Sequence, residues 1–330
     1  MHAIRLAAHG GLDQLRYEAA PDPQPQPGEV VVQVRAVPVN FVDLLVIEGK
    51  YQFLPPLPFS PGKGPAGVVV ASDDPALPIG TRVLAMAEHG GYAERVAVPS
   101  KNCFILPDEM DFITAAAGSL VYDTAWFALR ARARLEPGQS VLVLGASGGV
   151  GFAAIQLARA MGARVLAGVS RPEKGEHLRA VGADAIIDLS GADLKDSLRD
   201  QVREQTGGAG ADVILDPLGG DYFDAALRAL AWCGRLVVIG FAAGRIPSVR
   251  ANYLLLKNIE VSGLQVSDYR KRRPDLMRQC YDEIFAFWRQ GKLQNSVTET
   301  YPLSQAATAL ARVRDRSATG RVILLPDTER

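Results

Sequence analysis

The pattern of apolar and polar positions divides the chain into two kinds of segment. Up to about residue 118, short apolar runs of strand length are separated by loops rich in Pro and Gly; the run at 30–37, for example, follows the loop at 21–28. This spacing is typical of a compact, mostly β domain with irregular connections.

From about residue 140, apolar runs alternate with helical stretches. The six runs of strand length cover residues 141–144, 164–169, 185–188, 213–216, 236–239 and 259–261. Strands that alternate with helices in this way predict an α/β domain with a doubly wound parallel sheet.

The last part of the chain contains an amphipathic stretch at 274–290 and a final β run at 322–325. One helix and one strand are too few to fold alone, so we expect this tail to return and complete the first domain. The expected organisation is residues 1–118 as the first part of the β domain, 119–261 as the doubly wound domain and 262–330 as the return.

Length, charge and cysteine content narrow the class of protein. A chain of 330 residues favours two domains, and 36 Lys and Arg against 36 Asp and Glu indicate neither a nucleic-acid nor a membrane partner. Cys103, Cys233 and Cys280 lie far apart without a CxxC pair, which argues against a disulfide framework. The start of the chain has no secretory signal pattern, and no apolar run approaches the roughly 18 residues of a membrane span. We therefore expect a soluble, cytoplasmic protein.

The most informative local motif is a glycine-rich turn between a predicted strand and a predicted helix. Its residues are Gly145, Ala146, Ser147, Gly148, Gly149, Val150 and Gly151. Backbone N–H groups in such a turn, at the positive end of a helix, can bind a pyrophosphate. The register matches the dinucleotide fingerprint, with Ala146 in place of its first glycine. The alternative is a tight turn that binds no ligand.

The next strand indicates which dinucleotide fits. Sites that prefer NAD place an acidic residue about 20 residues on, where it binds the ribose 2′-OH. Ser170 stands at that place here, followed by Arg171 and Lys174, which could bind a 2′-phosphate. This favours NADPH; the alternative is that the two basic residues only form a solvated helix start. We include Gly240 and Phe241, which follow the run at 236–239, among the cofactor-binding residues.

Several stretches together resemble the zinc-independent quinone oxidoreductases of the medium-chain dehydrogenase/reductase superfamily, the group that includes zeta-crystallin-like proteins. The matching stretches are 39–43, 49–51, 61–62 with 66–67, 90–94, 124–126, 145–151, 182–184 and 216–220. The resemblance implies a GroES-like catalytic domain, a Rossmann domain inserted in it, a cleft between the two and a homodimer. The run at 259–261 could form a sheet edge for such pairing.

The places where zinc-dependent relatives carry metal ligands hold other residues in this chain. Asn40 occupies the place of an early Cys, and Lys63 and Gly64 occupy the place of a His-Glu pair. The chain therefore resembles the zinc-free branch. Without a metal to polarise an alcohol or a carbonyl, reduction of an electron-poor acceptor is favoured.

By the same resemblance, Asn40 and Tyr51 lie near the nicotinamide and can hydrogen-bond an acceptor oxygen. The alternatives are a loop-structuring amide for Asn40 and ordinary packing for Tyr51. Thr124 is expected near the cofactor by resemblance, while Asp123 and Thr124 could equally form a helix N-terminus.

The expected activity is NADPH-dependent reduction of a small quinone or enone. One alternative is an enoyl-CoA reductase, for which Lys50, Lys63, Arg270, Lys271, Arg272 and Arg273 could provide a basic rim. A second alternative is a protein that binds NADPH without catalysis.

Overall fold

The computed structural model describes residues 1–294, 298–318 and 320–327, without the side chain of Lys174. Its contacts group the chain into two compact units, residues 1–120 with 295–330 as the first and 121–294 as the second.

Every antiparallel strand pair in the described part of the chain lies in the first unit. Its elements before residue 120 are β1 (His2–Leu6), β2 (Leu15–Ala19), β3 (Glu29–Val39), α1 (Phe41–Ile47), β4 (Ala66–Ser72), β5 (Arg82–Ala85), β6 (Arg95–Pro99), β7 (Cys103–Ile105) and α2 (Phe112–Gly118). Short 3₁₀ helices cover Leu12–Gln14 and Ser100–Asn102.

The second unit alternates strands with helices. Its elements are α3 (Val121–Trp126), a π-helical segment (Phe127–Arg132), β8 (Ser140–Val143), α4 (Gly149–Ala160), β9 (Arg164–Val169), a 3₁₀ turn (Pro172–Lys174), α5 (Glu176–Ala180), β10 (Ala185–Asp188), α6 (Leu194–Gln205), β11 (Ala211–Asp216), α7 (Gly220–Ala229), β12 (Leu230–Val238), α8 (Ala251–Lys257), β13 (Glu260–Gly263), α9 (Val266–Arg272) and α10 (Pro274–Arg289).

The end of the chain returns to the first unit. Its elements are β14 (Thr298–Pro302), a 3₁₀ turn (Leu303–Gln305), α11 (Ala306–Arg314) and β15 (Arg321–Leu325).

The described strands of the second unit form one parallel sheet in the order β10-β9-β8-β11-β12-β13. With β8 counted as the first strand, this is the 3-2-1-4-5-6 order of a Rossmann fold. All six predicted runs are strands, so the prediction of a doubly wound parallel sheet is confirmed. Its apolar strand residues, such as Leu142, Leu166 and Ile214, are fully buried.

In the first unit, the sheet order is β14-β15-β3-β4-β5-β7, with β6 also paired to β3. The last strand, β15, runs antiparallel to β3, with Val322 opposite Val39 and Leu324 opposite Val37. The predicted final β run thus does complete the first unit. Val39 and Leu324 belong to the core that this sheet covers.

The segment 262–294 differs from the expected organisation, because it groups with the second unit rather than with the return. Helix α10 buries one face, including Met277, Tyr281 and Phe285, and its Glu283 accepts a hydrogen bond from Trp126 of α3. The amphipathic pattern predicted this helix correctly but did not specify which unit its apolar face would cover. Among the described residues, no single helix is long and apolar enough to cross a membrane.

Candidate functional site

The glycine-rich turn joins β8 to α4, as the sequence predicted. Gly148 is the N-cap of α4, and no described side chain caps this end of the helix. The N–H groups of the first turn have no intrahelical partners, which suits them to a pyrophosphate. A Cβ on Gly151 would lie 2.5 Å from the Gly145 oxygen, so this position requires glycine for the turn to pack against the helix. Ala146 is buried, whereas Ser147 and Gly148 are exposed.

The residues predicted to select the dinucleotide follow the neighbouring strand. Ser170 and Arg171 are exposed directly after β9, at the same carboxyl edge of the sheet as the glycine-rich turn. Lys174 ends the 3₁₀ turn that follows, and its side chain lies outside the described part of the structure.

Two further loops border this edge. The loop after β12 contains Gly240 and the 42% exposed Phe241. It is tied to the loop after β11 by a bond from the Ala243 N–H to the Leu218 oxygen, 2.8 Å long. Oδ1 of Asp216 accepts from the N–H groups of Leu218 and Gly219, both at 2.9 Å, and so shapes the β11 loop. Burial raises the pKa of Asp216 despite these two hydrogen bonds.

Asp123 lies in the first turn of α3, which begins at Val121, and Thr124 follows it, so the pair stands near a helix N-terminus but neither residue is the N-cap. Asp123 is fully buried, and its Oδ2 accepts a hydrogen bond of 3.0 Å from Nη2 of the buried Arg270. Its Oδ1 accepts from the Thr124 N–H at 2.7 Å. The carboxylate is therefore one half of an internal ion pair of the second unit, which sequence reasoning missed because Arg270 lies far along the chain.

Asn40 lies in the first unit at the junction of β3 and α1. It is only 6% exposed and is the N-cap residue of α1. Its N–H donates to Oδ2 of Asp43 at 2.9 Å, and its Oδ1 accepts from Nη2 of Arg321 at 2.8 Å. The amide is thus both buried and held from two sides.

A group of charged and polar side chains is linked to this amide, either directly or through one another. We call it the Asn40 cluster; its members are Asn40, Asp43, Tyr51, Lys63, Glu88, Tyr92 and Arg321. The Tyr92 hydroxyl donates to Asp43 Oδ2 at 2.9 Å, and the carboxyl group itself is 1% exposed. Burial raises the pKa of Asp43 to about 6, against the opposing effects of hydrogen bonds from Asn40 and Tyr92 and of the nearby Lys63 charge.

Lys63 connects Tyr51 to this cluster. The side chain is 3% exposed, its Nζ lies 2.7 Å from Glu88 Oε2, and it stands 5.5 Å from the centre of the Tyr51 ring. The neighbouring Gly64 has a φ of +64°, and a Cβ there would lie 2.6 Å from Ser119 Oγ. A larger residue at position 64 is therefore excluded by sterics. Among the described residues, no group of three or more His, Cys, Asp or Glu side chains could hold a metal ion.

Four members of the cluster, Asp43, Glu88, Tyr92 and Arg321, were not expected from the sequence as site residues. Asp43 stands three positions after Asn40. At this spacing a carboxylate can accept a hydrogen bond from the N–H of the N-cap residue, a sequence signal that could have identified Asp43. Arg321 carried no such signal, because its contact with Asn40 depends on how β15 pairs with β3.

Comparison with known proteins places these features in a family. A model described as an alcohol dehydrogenase GroES-like domain matches residues 26–108, and one described as a zinc-binding dehydrogenase matches residues 149–282. The chain is 37% identical over 301 residues to the quinone oxidoreductase-like protein 2 homolog of Nematostella vectensis, an alignment that covers 90% of this chain and 81% of the relative.

Two solved structures are similar over almost their whole length. The Pseudomonas syringae quinone oxidoreductase has a TM-score of 0.90 at 33% identity and covers 98% of this chain and 99% of its own. The Escherichia coli quinone oxidoreductase complexed with NADPH has a TM-score of 0.88 at 27% identity, with 99% and 100% covered.

The glycine-rich turn and the Rossmann strand order fit a dinucleotide, and the prediction of NADPH is supported by the Escherichia coli relative, which was solved with NADPH bound. The chain is an oxidoreductase that belongs to the quinone oxidoreductase family of the medium-chain dehydrogenases/reductases.

Proposed function

We propose that this chain catalyses the reduction of quinones, or of other electron-poor enones, by hydride transfer from NADPH and without zinc. The observation that carries the proposal is the buried Asn40 amide, which is held in a fixed orientation within a cluster that also contains Tyr51. A preorganised donor in such a site stabilises negative charge that develops on an acceptor oxygen. Bound NADPH supplies the hydride.

The residues of the second unit bind the cofactor in this proposal. The N–H groups of Gly149, Val150 and Gly151 bind the pyrophosphate, while Ser170 and Arg171, with Lys174, bind the 2′-phosphate. Thr124, Gly240 and Phe241 complete the set proposed to contact the dinucleotide.

The residues of the first unit orient the acceptor. Asn40 and Tyr51 donate hydrogen bonds to its oxygen, and neither is an obligatory proton donor, because a reduced quinone can take its proton from water. The Lys63 ammonium adds a positive charge to the same cluster, where it favours an anionic product over a neutral substrate.

Independence of zinc is proposed from the residues at the three expected ligand places. Asn40 is bound to Arg321, Lys63 is paired with Glu88, and position 64 has no room for a side chain. None of these arrangements provides the thiolate and imidazole ligands that zinc prefers.

The alternative of an enoyl-CoA reductase gains less support from the structure. A basic rim for CoA phosphates would need free cations, but Arg270 is buried against Asp123 and Arg273 lies 2.7 Å from Asp275. Enoyl thioesters therefore serve as the comparison substrates in the experiment below. The second alternative, NADPH binding without catalysis, predicts no turnover at all.

We also propose that the chain forms a homodimer and is cytoplasmic. Strand β13 ends the order of the described parallel sheet, so one edge of it is unpaired in the single chain. The preceding helix α8 has no buried residue, and its Leu255 and Leu256 are 75% and 72% exposed. A second copy paired at β13 would cover both features.

The proposed activity is tested by following NADPH absorbance with a panel of benzoquinones, naphthoquinones, enones and enoyl-CoA esters, each with and without a chelator. We expect quinones or enones to be reduced at rates that chelation does not change. Preference for the enoyl-CoA esters would favour the reductase alternative. No turnover with any acceptor, while NADPH still binds, would contradict the proposal.

A further inference from the structure

The two ends of the Asn40 carboxamide are distinguished by the group that each one faces. Nη2 of Arg321 lies 2.8 Å from Oδ1 of Asn40. A guanidinium carries five donors and no acceptor, so only the amide oxygen can occupy this position. The NH₂ group must then point away from Arg321.

The NH₂ group of Asn40 makes only a weak hydrogen bond among the described residues. Within the described residues its one hydrogen bond runs to the Pro38 oxygen at 3.4 Å, which is long for an N–H donor. At least one of its two hydrogens therefore has no good acceptor in the described part of the chain. Because the group is almost completely buried, this donor has a strong preference for a partner that a ligand could provide.

Arg321 is itself held firmly on two sides. Its Nε donates to the Ala117 oxygen at 2.9 Å, and its backbone begins β15, whose next residue, Val322, lies opposite Val39. Burial lowers the pKa of Arg321 to about 10, which still leaves the guanidinium charged at neutral pH. The strand register and the Ala117 bond thus place a permanent cation against the amide oxygen.

We propose that Arg321 is a positioning residue for acceptor reduction: it holds the Asn40 carboxamide with its oxygen turned inward and its NH₂ group presented to the acceptor oxygen. The charge on Arg321 also polarises the amide, which makes the NH₂ group a better donor to an oxygen that gains negative charge. This inference rests on the proposed function, in which Asn40 binds the acceptor.

The kinetic test is a double-mutant cycle of Asn40→Ala and Arg321→Met. We expect Arg321→Met to lower kcat by at least about tenfold with the NADPH dissociation constant unchanged, since an unheld amide no longer points at the acceptor. The double variant should be no slower than Asn40→Ala alone, because Arg321 acts through Asn40. Arg321→Lys, which can still donate to Oδ1, should recover part of the loss.

Arg82→Met is the matched control. Arg82 also braces backbone oxygens of the first unit, with Nη1 donating to Asp108 at 2.8 Å, but it is not a member of the Asn40 cluster. Arg82→Met should lower thermal stability without a change in kcat. Two outcomes would overturn the proposal. In one, the fold-losses in kcat of Asn40→Ala and Arg321→Met multiply in the double variant. In the other, Arg321→Met has the kcat of the wild type.

A second measurement does not depend on turnover. In protein labelled with ¹⁵N-asparagine, the side-chain NH₂ signals of Asn40 are assigned by their loss in Asn40→Ala. We expect these signals to shift in Arg321→Met and to remain in place in Arg82→Met. Unchanged Asn40 signals in Arg321→Met would overturn the positioning role even if the enzyme is active. Shifted signals in a protein without turnover would support the positioning of the amide and contradict only the proposed reaction.

Discussion

Arg321 and Asn40 are 281 positions apart in the chain, yet Nη2 of the first lies 2.8 Å from Oδ1 of the second. The contact follows from strand pairing. Val322 lies opposite Val39 in the antiparallel pair of β15 and β3, so the residue before one stands beside the residue after the other. The final strand is thus part of the candidate acceptor site as well as of the sheet.

Loss of the donors in the Asn40 cluster should slow turnover without weakening cofactor binding. We expect Asn40→Ala to lower kcat by about 10–100-fold, because removal of a well-placed buried donor costs up to about 4 kcal/mol. Tyr51→Phe should lower kcat by less than about tenfold, because Tyr51 is only partly buried. Steady-state kinetics with a quinone and fluorescence titration of NADPH measure the two effects. Wild-type rates in both variants would show that these residues only shape the loop.

Removal of the basic group after β9 should weaken NADPH binding selectively. Arg171→Ala combined with Lys174→Ala removes the two proposed charge-assisted contacts to a 2′-phosphate, each worth roughly 1.5–3 kcal/mol. We therefore expect the dissociation constant of NADPH to rise by more than about tenfold and that of NADH to change little.

The matched control for this prediction is Arg159→Ala. Arg159 is an exposed cation in the last turn of α4, at the opposite end of the helix from the glycine-rich turn, where it pairs with Asp184 at 3.2 Å. Arg159→Ala should leave the dissociation constants of NADPH and NADH as in the wild type. Equal NADPH affinity in the double variant and in wild type would refute the assignment.

The buried Asp43 should make stability depend on pH in the acidic range. Burial raises its pKa to about 6 in the folded protein, against about 3.9 for an unfolded chain. Because the folded state binds this proton more tightly, the stabilising effect is complete below pH 4 and is lost as the pH rises through about 6. Two pKa units correspond to roughly 3 kcal/mol as an upper bound.

Asp43→Asn remains neutral and should lack this dependence. Urea unfolding of both proteins between pH 4 and 8 should show the wild type losing free energy of unfolding relative to the variant as the pH rises from 4 to 6. Parallel curves for the two proteins would mean that Asp43 titrates alike in the folded and unfolded states.

The ion pair of Asp123 and Arg270 should be important for stability rather than for chemistry. Asp123→Asn leaves the buried guanidinium without its carboxylate, a change that costs about 3–5 kcal/mol. Thermal and urea unfolding should show this loss, whereas Glu176→Gln, which removes the exposed pair with Arg179, should hardly change the midpoint. A stable Asp123→Asn protein with impaired turnover would instead assign the carboxylate to the reaction.

Charges on α8 should separate the proposed dimer. Leu255→Glu together with Leu256→Glu replaces two exposed apolar side chains of α8, the helix that precedes β13, with charges. The mass measured by light scattering should then fall from twice the chain mass of 35.4 kDa to once that mass. Ile79→Glu is the control, since Ile79 is 69% exposed in the first unit. A monomer mass for the wild type at micromolar concentration would refute the dimer.

Much of the fold, and the glycine-rich turn of the candidate cofactor site, follow from local sequence patterns. The apolar runs predicted all six strands of the Rossmann sheet, and the spacing of glycines predicted the turn from β8 to α4. These features depend on neighbours in the chain: alternation of buried strands with helices, and a backbone turn that only glycine at position 151 permits. Ser170, with Arg171 and Lys174 after it, predicted NADPH, and the resemblance carried by short motifs predicted the family.

Contacts between distant segments were decided by the tertiary structure alone. An amphipathic pattern shows that α10 has an apolar face but not that this face joins the second unit. The sequence predicted a capping role for Asp123, whereas the packing of α9 places Arg270 against its carboxylate. Arg321 contacts Asn40 only because β15 pairs with β3. The ion pair of Asp123 with Arg270 and the contact of Asn40 with Arg321 each join residues more than 140 positions apart. Such contacts depend on the register in which distant segments pack. Only the folded chain determines that register, because burial and strand pairing are properties of the whole fold rather than of neighbouring residues.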